Sequence, residues 1–438
     1  MLLRVLYNIV LLLAAPFAAL YYGGKIALTG KYRRGFAQRF GILPPLVLAD
    51  MQGSPRIWVH AVSVGEVTAA APIIVALRRA FPRACIVLST GTETGQEMAR
   101  RIITGATAFI LYPLDIPFAV RKTIAQVRPD IFVLLETELW PNFIHYCRSR
   151  GVKIVMANGR LSPRSFRRYA RTRFFWKGIL DAVAEVGVIS ETDAERFRFL
   201  GIPAARLHVL GNAKYDSLAV QASRSLQEEI GARLAIAPGE RVLVAGSTHE
   251  GEEEIVFRVY RELLAVYPDC TLIIVPRHIE RTPAVLALAD EKGFCDRITM
   301  TEIARGRKRH GERVIVVDVI GELFRVYSLA TAVFCGGSLV PRGGQNIIEA
   351  AAWGKVVLYG PHMDDFREER ELLEGSGAGM TVRDEGELLR AILDIMADPV
   401  SRDRRGEAGR RLVAANTGAA QKYASLVSRQ LKTTSKPR

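Results

Sequence analysis

The chain has 438 residues, 49% of them hydrophobic and 24% charged, with a formal net charge of +15. This is ordinary globular composition, which excludes a disordered or collagen-like chain, and the length implies two or three domains with substantial cores. Five cysteines, Cys85, Cys147, Cys270, Cys295 and Cys335, are scattered without a CxxC pair or a Cys/His cluster. They exclude a disulfide scaffold or a structural metal site and read as reduced core thiols.

The N-terminus opens with a run from Val5 to Tyr22 broken only by Asn8 and Pro16, and no acidic residue occurs between Arg4 and Asp50. Such a run is long enough to span or embed in a bilayer. A cleaved signal peptide is the competing reading, with small residues from Ala14 to Ala19 near a cleavage point. Lys25, Lys31, Arg33, Arg34 and Arg39 follow the run, and positive flanks stay cytoplasmic. Residues 1–45 are therefore expected to be an uncleaved membrane anchor with a basic juxtamembrane segment. The stretch Gly41 to Ser54, with Pro44-Pro45, reads as a connector.

From Arg56 onward, apolar strands alternate with helical patterns such as Glu93–Ile103 and Pro117–Val127. Strands are expected at Ile57–Val62, Ala84–Ser89, Ala108–Leu111, Ile131–Leu135, Lys153–Ala157 and Val186–Ile189. A polar connector near Asn212 to Ser225 precedes a second set at Val242–Ala245, Thr271–Val275, Val314–Val317, Ala332–Cys335 and Val356–Leu358. Alternation of this kind implies doubly wound parallel sheets. Two Rossmann-like domains, 46–220 and 221–438, facing a central cleft are the expected architecture.

Loops at strand ends are where open α/β sheets place ligands. His60-Ala61-Val62-Ser63-Val64-Gly65-Glu66 follows the first strand and precedes a helix expected to open near Val67. There Glu66 would be held ionised by the helix N-terminus. An acid in a first helical turn usually only complements the helix dipole, so position alone does not make Glu66 catalytic. Neither half contains a full GxGxxG or GxxxxGK[ST] signature, which argues against a simple dehydrogenase or P-loop NTPase. No DxD pair is present, so a phosphate leaving group would need protein cations and helix N-termini. Ser247 and Thr248 can cap a helix facing an anion, and Arg277 and Lys214 can pair with a phosphate. In Gly343-Gly344-Gln345-Asn346-Ile347-Ile348-Glu349, Glu349 suits a ribose diol, yet Asn346 and Glu349 also have the spacing of a capping box.

Together with Glu136–Pro141, Asn158–Ser162, Gly211-Asn212-Ala213-Lys214, Pro276-Arg277-His278 and Gly360-Pro361-His362, these motifs resemble the Kdo (3-deoxy-D-manno-octulosonic acid) transferases of lipopolysaccharide synthesis over nearly the whole chain. The resemblance implies a GT-B type glycosyltransferase anchored by one N-terminal helix at the cytoplasmic face of the inner membrane. It implies CMP-Kdo as donor, a lipid A precursor as acceptor, and no metal or other cofactor. Glu66 becomes the candidate general base of an inverting displacement. Lys214, Ser247, Arg277, Gly321, Leu323, Asn346 and Glu349 match positions around the CMP moiety. Glu136 and Glu138 fall in an acceptor-side motif, either in the chemistry or as acids that shape the loop. Gln345 departs from the family, in which His is frequent. His60 and His278 read as polar scaffolding.

The segment Arg160 to Lys177 carries six arginines and one lysine interleaved with Phe166, Tyr169, Phe174, Phe175 and Trp176. Beside an N-terminal anchor it suits an anionic inner-membrane surface or the acceptor phosphates; without a recognised module, nucleic acid is not an expected partner. Two other classes remain open: another nucleotide-sugar enzyme of the same fold, such as a UDP-sugar epimerase or glycosyltransferase, and a non-catalytic membrane-tethered protein that binds anionic lipid.

Overall fold

In the computed structural model, residues 2–29 and 35–434 are described. The chain divides into two compact units, Met1–Ser217 with Thr417–Arg438, and Leu218–Asn416. Each is built on a seven-stranded sheet with parallel pairing throughout.

The first unit contains β1 (Arg56–Ala61), β2 (Cys85–Thr90), β3 (Ala108–Leu111), β4 (Ile131–Leu135), β5 (Lys153–Gly159), β6 (Glu185–Val188) and β7 (Leu207–Val209), in the order β3-β2-β1-β4-β5-β6-β7. Strands such as Ile131–Leu135 are apolar at every position and buried on both faces, as a parallel sheet covered by helices requires. The first strand is flanked by β2 and β4, so the order in which successive strands are added to the sheet reverses there. Ligands of doubly wound folds bind at such a point. Trp58 anchors one face of this core, edge-on to Phe143 at 4.9 Å and to Phe132 at 5.7 Å.

The second unit contains β8 (Val242–Thr248), β9 (Thr271–Pro276), β10 (Arg297–Thr299), β11 (Val314–Val316), β12 (Ala332–Cys335), β13 (Val357–Tyr359) and β14 (Gly379–Thr381), in the order β10-β11-β9-β8-β12-β13-β14. Its switch point lies at β8, between β9 and β12.

Several expectations need correction. The second domain does not run to residue 438. The C-terminal helix Ala419–Thr434 buries Ala420, Tyr423, Ala424, Leu426, Val427 and Leu431 in the same core as β1, β4 and β5. Asp216 accepts from Gly418 N–H at 2.7 Å, and the Tyr423 hydroxyl donates to Gly211 O at 2.8 Å. Apolar burial and these bonds place the segment with the first unit. The stretch expected as a connector contains the helix Pro45–Asp50 and buries Leu43 and Met51. Cys295 is exposed, whereas the other four cysteines are buried.

The Val5–Tyr22 run is helical, within Leu2–Thr29. Among the described residues no helix is long and apolar enough to cross a membrane, so the fold alone does not show an anchor. Lys31, Arg33 and Arg34 of the basic stretch lie outside the described residues. The basic aromatic segment forms two helices, Pro163–Arg171 and Arg173–Leu180, with Phe174 exposed.

Candidate active site

In the first unit, the acids expected from sequence gather at the C-terminal ends of β1 and β4. The helix after β1 spans Val64–Ala80 and starts one turn earlier than expected, because Ser63 caps it by accepting from Glu66 N–H. Glu66 bends back over this turn. Val62 N–H donates to its Oε2 at 2.8 Å and the Ser63 hydroxyl to its Oε1 at 3.0 Å. The carboxylate is buried, at 6% exposure.

The expectation that the helix N-terminus would keep Glu66 ionised well below neutrality is wrong. Burial and the charge of Glu136 raise its carboxyl to about 7; Glu138 adds to the rise, and the bonds from Val62 and Ser63 oppose it. Two donors do not compensate a desolvated carboxylate that faces two more acids. Such a group takes up and gives up a proton near neutrality, which suits proton transfer better than a fixed charge.

Glu136 leaves β4 with φ of 52°, a left-handed conformation uncommon outside glycine, and its N–H donates to Ala157 O at 3.0 Å. Asn158, near the end of β5, also has a positive φ, and its Oδ1 accepts from Ala213 N–H at 2.9 Å. Backbone strain of this kind persists where the surroundings over-determine it, commonly at functional sites. Burial raises the Glu138 carboxyl, Glu136 reinforces the rise, and the Trp140 indole opposes it.

Lys214 belongs with these acids. Its Nζ lies 3.3 Å from Glu136 Oε1, and a Cβ built on Gly65 would lie 4.0 Å from it. It lies in the first unit, near its C-terminal limit at Ser217. His60 is no acid or base: it is fully buried in β1, stacked 3.8 Å from Tyr112, with Nδ1 2.9 Å from Ser89 Oγ. Burial pushes its imidazole down to about 3.

In the second unit, the remaining expected residues collect around the ends of β8, β9 and β12. Ser247 is buried with φ of 54°. Gly246 beside it packs so closely on Leu323 and Tyr327 that a Cβ would come within 2.8 Å of Leu323 Cδ1 and 2.2 Å of the Tyr327 hydroxyl. Gly321, with φ of 92°, makes the turn just before Leu323. Arg277 N–H donates to Thr248 O at 3.0 Å, and its side-chain Nε donates to Gln345 Oε1 at 3.1 Å. Gln345 therefore holds Arg277, a role the sequence did not reveal.

The capping-box reading of Asn346 and Glu349 is not what the structure shows. Their side chains bond each other directly, Asn346 Nδ2 to Glu349 Oε1 at 2.9 Å. The short helix Ile348–Ala352 that follows has Ile347 at its N-cap and no side-chain cap. Gly343 and Gly344 have φ near 86° and 82°, and a Cβ on Gly344 would meet Met363 Sδ at 2.4 Å, so both glycines are required by the protein's own backbone.

Glu252 went unrecognised in the sequence. Fully buried, it accepts from the N–H groups of His249 at 3.0 Å, Gly337 at 2.6 Å, Ser338 at 2.9 Å and Leu339 at 2.9 Å. One carboxylate therefore ties the β8 and β12 loops together. The available signal was an acid three residues after His249 at the start of the Glu252–Val266 helix. Among the described residues, no group of three or more His, Cys, Asp or Glu residues could hold a metal ion.

The family model described as 3-deoxy-D-manno-octulosonic-acid transferase (kdotransferase) matches residues 34–217. A Haemophilus influenzae 3-deoxy-D-manno-octulosonic acid transferase is 33% identical over 97% of this chain and 98% of its own length. The Bordetella pertussis protein of that name is 30% identical over 84% of this chain and 85% of its own. Solved structures share the fold alone. An Anabaena protein in complex with UDP-glucose superposes with TM-score 0.57 at 14% identity, covering 85% of this chain and 99% of that one. The Neisseria meningitidis UDP-GlcNAc 2-epimerase gives 0.56 at 13%, covering 86% and 100%. With a GT-B-like α/β fold of two parallel sheets and relatives matched along 98% and 85% of their own length, the chain belongs to the 3-deoxy-D-manno-octulosonic acid transferase family of glycosyltransferases.

Proposed function

We propose that this chain transfers Kdo from CMP-Kdo to a lipid A precursor in lipopolysaccharide synthesis, by an inverting displacement with Glu66 as general base. The observation that carries the residue assignment is Glu66 itself, buried beside Glu136 and Glu138 with its carboxyl near 7. An acceptor hydroxyl is a poor nucleophile at neutral pH, and a positioned base contributes about 10²- to 10⁴-fold in rate. The hydroxyl oxygen attacks the anomeric carbon of the donor as its proton passes to Glu66. The bond from that carbon to the CMP phosphate oxygen breaks, and CMP departs with the electron pair. In the second unit, Arg277 and the loop around Ser247 would meet the phosphate charge. Asn346 and Glu349, bonded to each other, would take the ribose. Lys214, beside Glu136, is assigned to the acidic centre of the first unit.

Membrane attachment belongs to the same proposal. Val5, Leu6, Ile9, Val10, Leu12, Leu13, Phe17 and Leu20 are all exposed on the N-terminal helix. So much exposed apolar surface on one helix calls for a partner such as the inner membrane, with the basic helices of Arg160–Lys177 suited to its anionic cytoplasmic face. The test is mass spectrometry of a lipid A precursor incubated with CMP-Kdo and either the wild-type protein or Glu66→Gln. A Kdo-bearing product from the wild type alone supports the proposal; no product from the wild type, or equal product from both, contradicts it.

A further inference from the structure

Tyr7 and the polar Asn8 near the start of the apolar N-terminal run are turned onto the body of the first unit. The Tyr7 hydroxyl donates to Asp115 Oδ2 at 3.0 Å, while Asn8 and Asn142 exchange side-chain amide bonds at 3.1 and 2.8 Å. Asp115 and Asn142 are buried, at 5% and 1% exposure. Beyond the apolar run, Leu111 N–H donates to Gln38 Oε1 at 2.8 Å and Leu114 N–H to Arg39 O at 2.8 Å. The start of the run and the chain beyond its end are thus fastened near one short segment, Leu111–Asp115. A tether would need no such bonds, and buried amides are kept only where they are paired.

Asp115 has a second task. The helix Pro141–Ser149 begins with a proline that has no N–H, and Trp140 before it provides no side-chain cap. The N–H groups of Asn142 and Phe143 are instead met by Asp115, at 2.9 and 2.8 Å, and Asn142 Nδ2 donates to Asp115 O at 2.6 Å. Asp115 is therefore an N-cap supplied from a different loop. The residues immediately before this helix are Glu136 to Trp140, the loop whose acids act on Glu66.

We propose that Tyr7 and Asn8 are positioning residues for transfer: through Asp115 and Asn142 they fix the start of the Pro141–Ser149 helix, and with it Glu136 and Glu138 beside Glu66. The apolar helix is then a working part of the catalytic unit as well as an attachment to the membrane. This rests on the Glu66 assignment above. Burial raises the Asp115 carboxyl to about 6, against the donors Asn142, Phe143 and Tyr7. Loss of the Tyr7 bond therefore weakens the ionised cap.

The test is the full-length Tyr7→Phe/Asn8→Leu variant, which keeps the run apolar, compared with the wild type and Glu66→Gln in the same detergent. Membrane fractionation and heat protection by CMP should match the wild type. Turnover should fall by about fivefold or more, because small displacements at a reacting centre are costly. The acid limb of the pH–rate profile should also shift, because Glu136 and Glu138 add to the rise that burial imposes on the Glu66 carboxyl. Turnover within roughly twofold of wild type with an unmoved limb overturns the proposal. So does a loss of turnover with an unmoved limb, which marks simple destabilisation. If Glu66→Gln stays active, the base assignment fails whatever the double variant does. If it is inactive while the double variant behaves as wild type, only the positioning role fails. Should the double variant not fold, Tyr7→Phe, which removes one oxygen, carries the same comparison.

Discussion

Glu66 accepts two hydrogen bonds from its own turn, yet burial, Glu136 and Glu138 still raise its carboxyl to about 7. A base must be ionised, so turnover should fall about tenfold per pH unit below that value. Glu136→Gln removes a neighbouring negative charge and should move this acid limb to lower pH; an unmoved limb in a pH–rate series would separate Glu136 from the base. The stability consequence has the opposite sense to that of an ordinary ion-paired carboxylate. A carboxyl raised from 4.5 in the unfolded chain to about 7 in the fold favours folding below pH 4.5, and this contribution is lost as pH rises through 7. At ~1.4 kcal/mol per unit, the ionised Glu66 costs the fold up to about 3 kcal/mol at pH 8. Glu66→Gln should therefore melt higher than wild type at pH 8 and show little or no gain at pH 4.5, read by thermal unfolding. Glu66 was legible as a candidate from its place after the first strand. Its raised proton affinity was not, because that depends on its burial in the fold and on acids about seventy residues away in sequence.

Among the loops and helices, Glu252 makes the strongest claim. It meets four backbone N–H groups of the β8 and β12 loops, and removing it leaves them unpaired in a buried place. Glu252→Ala should cost about 3 kcal/mol or more and weaken CMP binding. Thermal unfolding and calorimetric titration with CMP check this, and wild-type values in both would contradict it. Long, apolar central strands such as Ile131–Leu135 were readable from the sequence. The edge strands β7, β10 and β14 were not. Each is three residues long, and β7 and β14 are mostly part-exposed, so no apolar run announces them. The Asn346–Glu349 pair was ambiguous for a related reason: spacing suits both a cap and a side-chain bond, and only the three-dimensional turn decides between them.

For the whole molecule, the return of Thr417–Arg438 to the first unit has a direct consequence. Ending the chain at Asn416 strips Tyr423, Leu426, Val427 and Leu431 from the core that carries β1, β4 and β5. Hydrogen exchange should then show lost protection in those strands, while β8, β9 and β12 retain theirs; uniform loss or no change would contradict the division. The two-unit α/β plan was legible from strand alternation, but the C-terminal return was not, because one amphipathic helix does not state which sheet it covers. The central claim is that a Kdo transferase site is run by Glu66. Its most direct test is turnover of CMP-Kdo and a lipid A precursor by purified Glu66→Gln, with chelator present and CMP binding verified. The wild type should give a Kdo-bearing product, and the variant less than about a tenth of its turnover. Turnover near wild type by Glu66→Gln, or a wild type that yields product only after metal is added, would contradict the claim.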